Sequence, residues 1–174
     1  MSAYVAYTFL YDPSADLRCD FEILSDEIAS MIGLVRALID DRVVQDGGEL
    51  REDLLKISEL MYHINPSLRT KIAVTGEELA WLHEKAVRLQ VDPSSRFVVP
   101  QGCVPAAYSH VIRSKCKALV RLLSRHAQQG HPVDDILFDF INLFSNYFFA
   151  LALRLNHVYG VTEVPFTSRV YPVA

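Results

Sequence analysis

The stretch from Arg96 to His126, RFVVPQGCVPAAYSHVIRSKCKALVRLLSRH, decides the fold. It opens as a short extended apolar piece, Phe97 to Val99, and turns at Pro100 and Gly102. A helix is then predicted from about Pro105 to Gln128, closed by Gly130. Tyr108, Ile112, Cys116, Leu119 and Leu123 recur on it at spacings of three and four, the stripe of a core-facing helix. About 100° from that stripe stand four cations, Arg113, Lys117, Arg121 and Arg125, at fourfold spacing. Cations at the edge of an apolar face suit a cleft between helices or subunits, where they grip phosphates or carboxylates. They suit equally a solvated face whose aliphatic stems cover neighbouring core.

Outward from this segment the same periodicity repeats. Phe21, Leu24, Ile28, Met31, Val35 and Leu38 mark a helix that Gly47-Gly48 is expected to end. Leu50, Leu54, Ile57, Met61 and Ile64 mark a second, stopped by Asn65-Pro66. A third opens at Thr75-Gly-Glu-Glu78, a capping-box pattern, and shows Leu79, Leu82, Ala86 and Leu89 on one face. Asp92-Pro-Ser-Ser-Arg96 reads as a turn. The fifth is expected to start at Pro132 and to run on Leu137, Phe140, Phe144, Phe148, Leu151 and Leu155. Five amphipathic helices with mostly short connections predict an all-α, five-helix antiparallel bundle, ferritin-like in build. It forms one domain over 1–174, with an extended N-terminal arm over 1–16 and a C-terminal tail over 160–174.

Composition narrows the function. The chain has 174 residues, 51% of them hydrophobic and 22% charged, with a formal charge of -4. It has the means to bury a full core, and it is neither disordered nor generally basic, so nucleic acid is not an expected partner. Cys19, Cys103 and Cys116 show no metal or disulfide spacing. The stretch MSAYVAYTFLYDP has no basic region and does not read as a secretory signal, so with these cysteines a reducing, cytoplasmic setting is expected. Ile136 to Leu155 has the length of a membrane span, but Asp139, Asn142, Ser145, Asn146 and Arg154 interrupt it, so a buried bundle helix is expected and no membrane. A bundle metal centre would need paired Glu-x-x-His motifs, which are absent, so no metal site is expected.

The motifs then add a resemblance. FVVPQGCVPAAYSHVIRS is similar to the F-x-x-PGG-x-x-x-A-x-x-H-x-AR-T signature of PduO-type ATP:cob(I)alamin adenosyltransferases. SDEIASMIGLVRAL resembles the family's DELN-x-x-IGLAR block, and VTGEELAWLHE its T-x-EE-x-x-WLE. INLFSNYFFALALRLNH resembles LNRLSD-x-LF-x-LAR-x-x-N, and GVTEVPF the closing G-x-x-E-x-PW. Five ordered blocks with compatible spacing cover most of the chain. The resemblance implies a helical bundle assembled as a homotrimer, with a corrinoid and ATP meeting in the cleft between subunits.

Carried over by position, Phe97 stands where the family places the aromatic that displaces the lower axial ligand of the corrinoid. Asp26 and Arg113 match an acid–base pair that joins neighbouring subunits. Lys117, Arg121, Asn142 and Asn156 match residual nucleotide-binding positions. Much of the nucleotide half departs from the pattern. The family's Thr/Gly-rich loop uses backbone N–H groups to hold the triphosphate; here AYVAYTFLYDP stands in its place, with no glycine before Gly33. Lys117 replaces an arginine, Ala118 a second arginine, Val120 a glutamate, Asn146 an acid and Leu153 an arginine. The cofactor implied is therefore cobalamin or a related corrinoid, while ATP and Mg2+ lack the loop that would hold them. Three readings follow in order: a corrinoid-binding relative with a degenerate ATP site, an active adenosyltransferase, and a noncatalytic trimeric scaffold.

Overall fold

The computed structural model describes residues 2–39, 47–91 and 97–170. Five helices account for most of them: α1 (Leu17–Leu38), α2 (Gly47–Ile64), α3 (Gly76–Arg88), α4 (Val104–Gln128) and α5 (Asp135–Val158). Single 3-10 turns cover Thr8–Tyr11 and Asn65–Leu68. Among the described residues there is no β-strand, only an isolated antiparallel bridge between Val98 and Pro165. The expected all-α five-helix bundle is the fold.

α1 packs on α2 and α4, α4 on α5, and α5 on α3. Cross-helix bonds give the directions. Lys115 of α4 pairs with Glu27 of α1, while Gln129, just past α4, reaches Ala15, just before α1. These two helices therefore run antiparallel. On α5, Leu137, Phe140, Phe144, Phe148, Leu151 and Leu155 are all buried. Phe21, Ile28 and Ile32 of α1 and Ile112, Leu119 and Leu123 of α4 belong to the same core. Each such side chain contributes about 1.5–3 kcal/mol when fully buried. α5 is long and apolar enough to cross a membrane by length and composition, and here its apolar residues form the bundle core.

Local signals explain the helix limits. Thr75 caps α3 through its hydroxyl, which accepts from the Glu78 N–H, and the Glu78 carboxylate accepts from the Thr75 N–H in return. Three expectations need correction. Gly47 does not end the first helical unit but begins α2; α1 stops at Leu38 with the buried Ile39 beyond it. A glycine in a first helical turn weakens the helix less than one in its interior. α5 begins at Asp135 rather than Pro132, because the Asp134 carboxylate accepts from the Ile136 N–H and fixes the start. Tyr108 is exposed rather than core, lying at the edge of the apolar arc near the start of α4. The turn expected over 92–96 lies outside the described residues.

Candidate functional site

The segment that opened the sequence reading makes a small ribbon with the C-terminal tail. The Val99 N–H donates to the Val164 carbonyl at 2.8 Å, and the Phe166 N–H to the Phe97 carbonyl at 2.8 Å. Val98 lies opposite Pro165. Side chains alternate across paired extended segments, so Phe97, Val99, Val164 and Phe166 share the other face. All four are exposed, Phe97 at 78% and Phe166 at 53%. Phe97 thus presents a bare aromatic ring on a backbone held on its far side.

The turn after it is fastened to α5 by Asn156, which is fully buried. Its Oδ1 accepts from the Cys103 N–H at 3.0 Å, and its Nδ2 donates to the Gln101 carbonyl at 3.1 Å and to Glu163 Oε1 at 2.8 Å. One amide therefore ties the signature turn to both the last helix and the tail. Gly102 is obligatory beneath it. Its φ is 142°, and a Cβ there would sit 2.0 Å from Asn156 Oδ1.

Two turns into α4, Arg113 is half-buried, with its guanidinium 5.2 Å from the centre of the Phe149 ring. Its Nε is buried without a hydrogen-bond partner. His110 lies on the other contact of the same ring, 6.1 Å between centroids, and both of its nitrogens are buried without partners. Burial, reinforced by the nearby Arg113 charge, lowers the His110 pKa to about 4, so the imidazole is neutral at physiological pH.

Asp26 stands on α1, exposed, and accepts from the Tyr62 hydroxyl at 2.7 Å. Within one chain Asp26 and Arg113 form no ion pair with each other. Lys117, Arg121 and Asn142 are all exposed. The structure therefore gathers Phe97 and Asn156 at one end of the bundle and leaves Asp26, Arg113, Lys117 and Arg121 along its flank. Among the described residues no cluster of three or more His, Cys, Asp or Glu side chains is arranged to hold a metal.

The N-terminal arm is folded rather than simply extended. The Tyr7 hydroxyl donates to Glu22 Oε2 at 2.8 Å, and Arg69 donates to Glu22 Oε1 at 2.7 Å and to Asp12 Oδ2 at 2.6 Å. The Arg69 guanidinium also lies 3.8 Å from the centre of the Phe9 ring. Burial opposes the Arg69 charge, but the bonds to Asp12 and Glu22 win and its pKa rises. Burial and the bond to Glu22 push the Tyr7 hydroxyl up to about 12, so it stays a donor.

Sequence reading missed Phe166 and Tyr62 as neighbours of candidate positions. Phe166 lay in the GVTEVPF block, where its aromatic character was a usable signal. Tyr62 carried none, since its pairing with Asp26 crosses two helices.

The matching family model is that of cobalamin adenosyltransferases, over residues 13–155. The chain belongs to the cobalamin adenosyltransferase family. No curated protein matches it by sequence. Among solved structures it is similar to a PduO-type ATP:co(I)rrinoid adenosyltransferase from Lactobacillus reuteri. An arginine-to-lysine variant of that protein, complexed with ATP, is 25% identical, with a TM-score of 0.76 over 87% of this chain and 88% of that one. A phenylalanine-to-alanine variant complexed with cobalamin and ATP is 23% identical, with a TM-score of 0.75 over 88% and 87%. A phenylalanine-to-histidine variant with the same ligands is 22% identical, with a TM-score of 0.77 over 93% and 96%.

Proposed function

We propose that this protein binds a corrinoid in an inter-subunit cleft of a homotrimer, and that much of the family's ATP site is lost. The observation that carries the reading is Phe97, a ring 78% exposed on a ribbon fastened by backbone hydrogen bonds and by Asn156. An apolar ring held in water is unfavourable unless something covers it. A flat side chain without a donor atom fits the axial face of a corrin macrocycle, because it fills that space without coordinating the metal. Phe166, Val99 and Val164 extend the apolar face beside it.

Asp26 and Arg113 are the proposed joint between neighbouring subunits. Asp26 is exposed and Arg113 half-buried, and neither forms an ion pair among the described residues, so each retains capacity for a partner from another chain. For ATP the fit is poorer. The arm contributes side chains and carboxylates where a phosphate loop would supply backbone N–H groups. Asn156 already spends its amide on the fold, leaving Lys117, Arg121 and Asn142 as exposed, dispersed nucleotide contacts. The corrinoid, when bound, would supply the cobalt chemistry; Phe97 would cover its face without offering a donor atom to the metal, and Asp26 and Arg113 would close the cleft.

A second reading, an active ATP:cob(I)alamin adenosyltransferase, is favoured by the similar structures that hold cobalamin and ATP together. One anaerobic cuvette separates the two. Cobalamin is reduced to Co(I), protein and MgATP are added, and the visible spectrum is followed against a control without protein. The proposal expects no protein-dependent adenosylcobalamin, together with a protein-dependent change when Co(II)cobalamin is used instead. Adenosylcobalamin formed at a rate proportional to protein would establish the second reading.

A further inference from the structure

The signature turn stands at the start of α4, and a cavity of about 520 Å3 lies at the other end of that helix, within the size range of small-molecule sites. Asp16 and Arg18 line it where α1 begins, His126 at the end of α4 and His131 in the connection to α5. At about 1.5 Å of rise per residue, His126 is about 20 Å along α4 from Arg113. Asp16 is about 15 Å along α1 from Asp26 by the same measure, so the cavity is no part of the Asp26–Arg113 joint. Lys117 and Arg121 stand on the exposed side of α4, whereas His126 is turned inward.

Two observations point to a ligand. His126 is 5% exposed, yet its Nδ1 is buried without a hydrogen-bond partner. Buried polar groups are nearly always bonded, and here the chain supplies no partner. The ring is stacked on that of His131, with 4.6 Å between centroids and 20° between planes. Gly130, at φ 89°, turns the chain so that His131 falls back on it. The second observation is a surplus of donors. Arg18 engages Asp16 through Nε and one terminal nitrogen, which leaves its other terminal nitrogen free for a ligand. The acceptors of the same wall are already engaged. Both Asp16 oxygens accept from Arg18, and the Pro13 carbonyl accepts from the Asp16 N–H at 2.7 Å. The Ala15 carbonyl accepts from Gln129 Nε2 and the His126 carbonyl from the Gln129 N–H, each at 3.2 Å. The cavity therefore offers a ligand guanidinium and imidazole N–H groups.

We propose that this cavity is an oxyanion site, which takes a carboxylate or phosphate group between the Arg18 guanidinium and the imidazoles of His126 and His131. It goes beyond the corrinoid reading and does not depend on it. Asp16 is the only carboxylate among the lining residues, and Arg18 balances its charge, so the imidazoles set the sign of the cavity. His131, Asp16 and Arg18 are the charged groups that act on His126, and the 3-10 turn Asn65–Leu68 presents only Leu68 to the cavity. Burial, and then His131, lowers the His126 pKa. An anion beside the ring acts the other way, favouring the protonated form, so the oxyanion binds more tightly as pH falls.

The test contains no corrinoid, so its failure and the failure of the corrinoid reading are distinguishable. Histidine signals of the full chain are followed by NMR between about pH 5 and 8, the range in which imidazoles titrate. Sodium sulfate, sodium acetate and sodium chloride are compared at equal ionic strength; sulfate stands for phosphate because it keeps one charge across the range. Relative to chloride, sulfate or acetate is expected to raise the His126 pKa by at least about 0.5 unit, a roughly threefold stronger hold on the proton. Sulfate acting alone assigns a phosphate group, acetate acting alone a carboxylate, and both acting assigns an oxyanion of either shape. The rise should disappear in Arg18→Gln and in His131→Gln, the latter at an exposed position outside the helices. No rise with either anion would overturn the proposal. So would an equal rise at the exposed His157, or a rise that persists in either folded variant.

Discussion

Asn156 and Gly102 show how one residue can depend on the absence of another's side chain. The Asn156 amide occupies the space a Cβ at position 102 would need, and the Gly102 backbone has a positive φ that L side chains rarely adopt. Gly102→Ala is therefore expected to destabilise the chain by about 2–3 kcal/mol, visible as a lower midpoint in chemical unfolding. Asn156→Ala should cost about 1–3 kcal/mol by leaving the Cys103 N–H and the Gln101 carbonyl unsatisfied. His110 makes the pH prediction at this scale. Its folded pKa, about 4, lies below the unfolded value of 6.5, so the unfolded chain takes up the proton first as pH falls. Stability from this group is full above pH 6.5 and is lost progressively down to pH 4, by about 3 kcal/mol in all. Urea unfolding across that window should show the slope, and His110→Leu should flatten it. Phe97→Ala, in contrast, should change stability by no more than about 0.5 kcal/mol, because the ring is exposed.

At the scale of elements, the N-terminal arm and the helix caps behave differently. Thr75→Ala removes one side of a capping box on an exposed helix start, and about 1 kcal/mol of stability should go with it. Arg69→Ala leaves Glu22 buried without its cation, which should cost about 3 kcal/mol or more. It should also release the arm, so that limited proteolysis cuts within residues 2–16 before the helices; an arm equally protected in the variant would contradict this anchorage. The helices were legible in the sequence because each bears an apolar stripe of helical period, and Thr75 to Glu78 announced its own cap. The limits that misled did so for local reasons: a glycine pair reads as a stop even where it opens a helix, and Pro132 sits close to the Asp134 cap. The arm's anchorage was not legible at all. Arg69 and Asp12 are 57 residues apart, and nothing in the spacing of AYVAYTFLYDP points to Glu22 or Arg69.

At the scale of the whole molecule, the signature turn and the N-terminal arm are fastened to different elements. The signature turn keeps its glycine, its asparagine staple and its outward phenylalanine at the junction of α4, α5 and the tail. The N-terminal arm, where the resemblance leads one to expect a phosphate loop, is anchored on Glu22 of α1 and lines a cavity beside Asp26. The signature turn was readable because it is encoded in one contiguous motif. The assembly was not, since Asp26 and Arg113 find each other, on this account, only across chains. The most direct measurement of the central claim is a titration of Co(II)cobalamin with the wild-type chain and with Phe97→Ala, followed by visible absorption. The account predicts a saturable spectral change with the wild type, lost or weakened at least tenfold in the equally stable variant. Identical spectra with and without the wild-type chain, or identical titrations for both proteins, would contradict it.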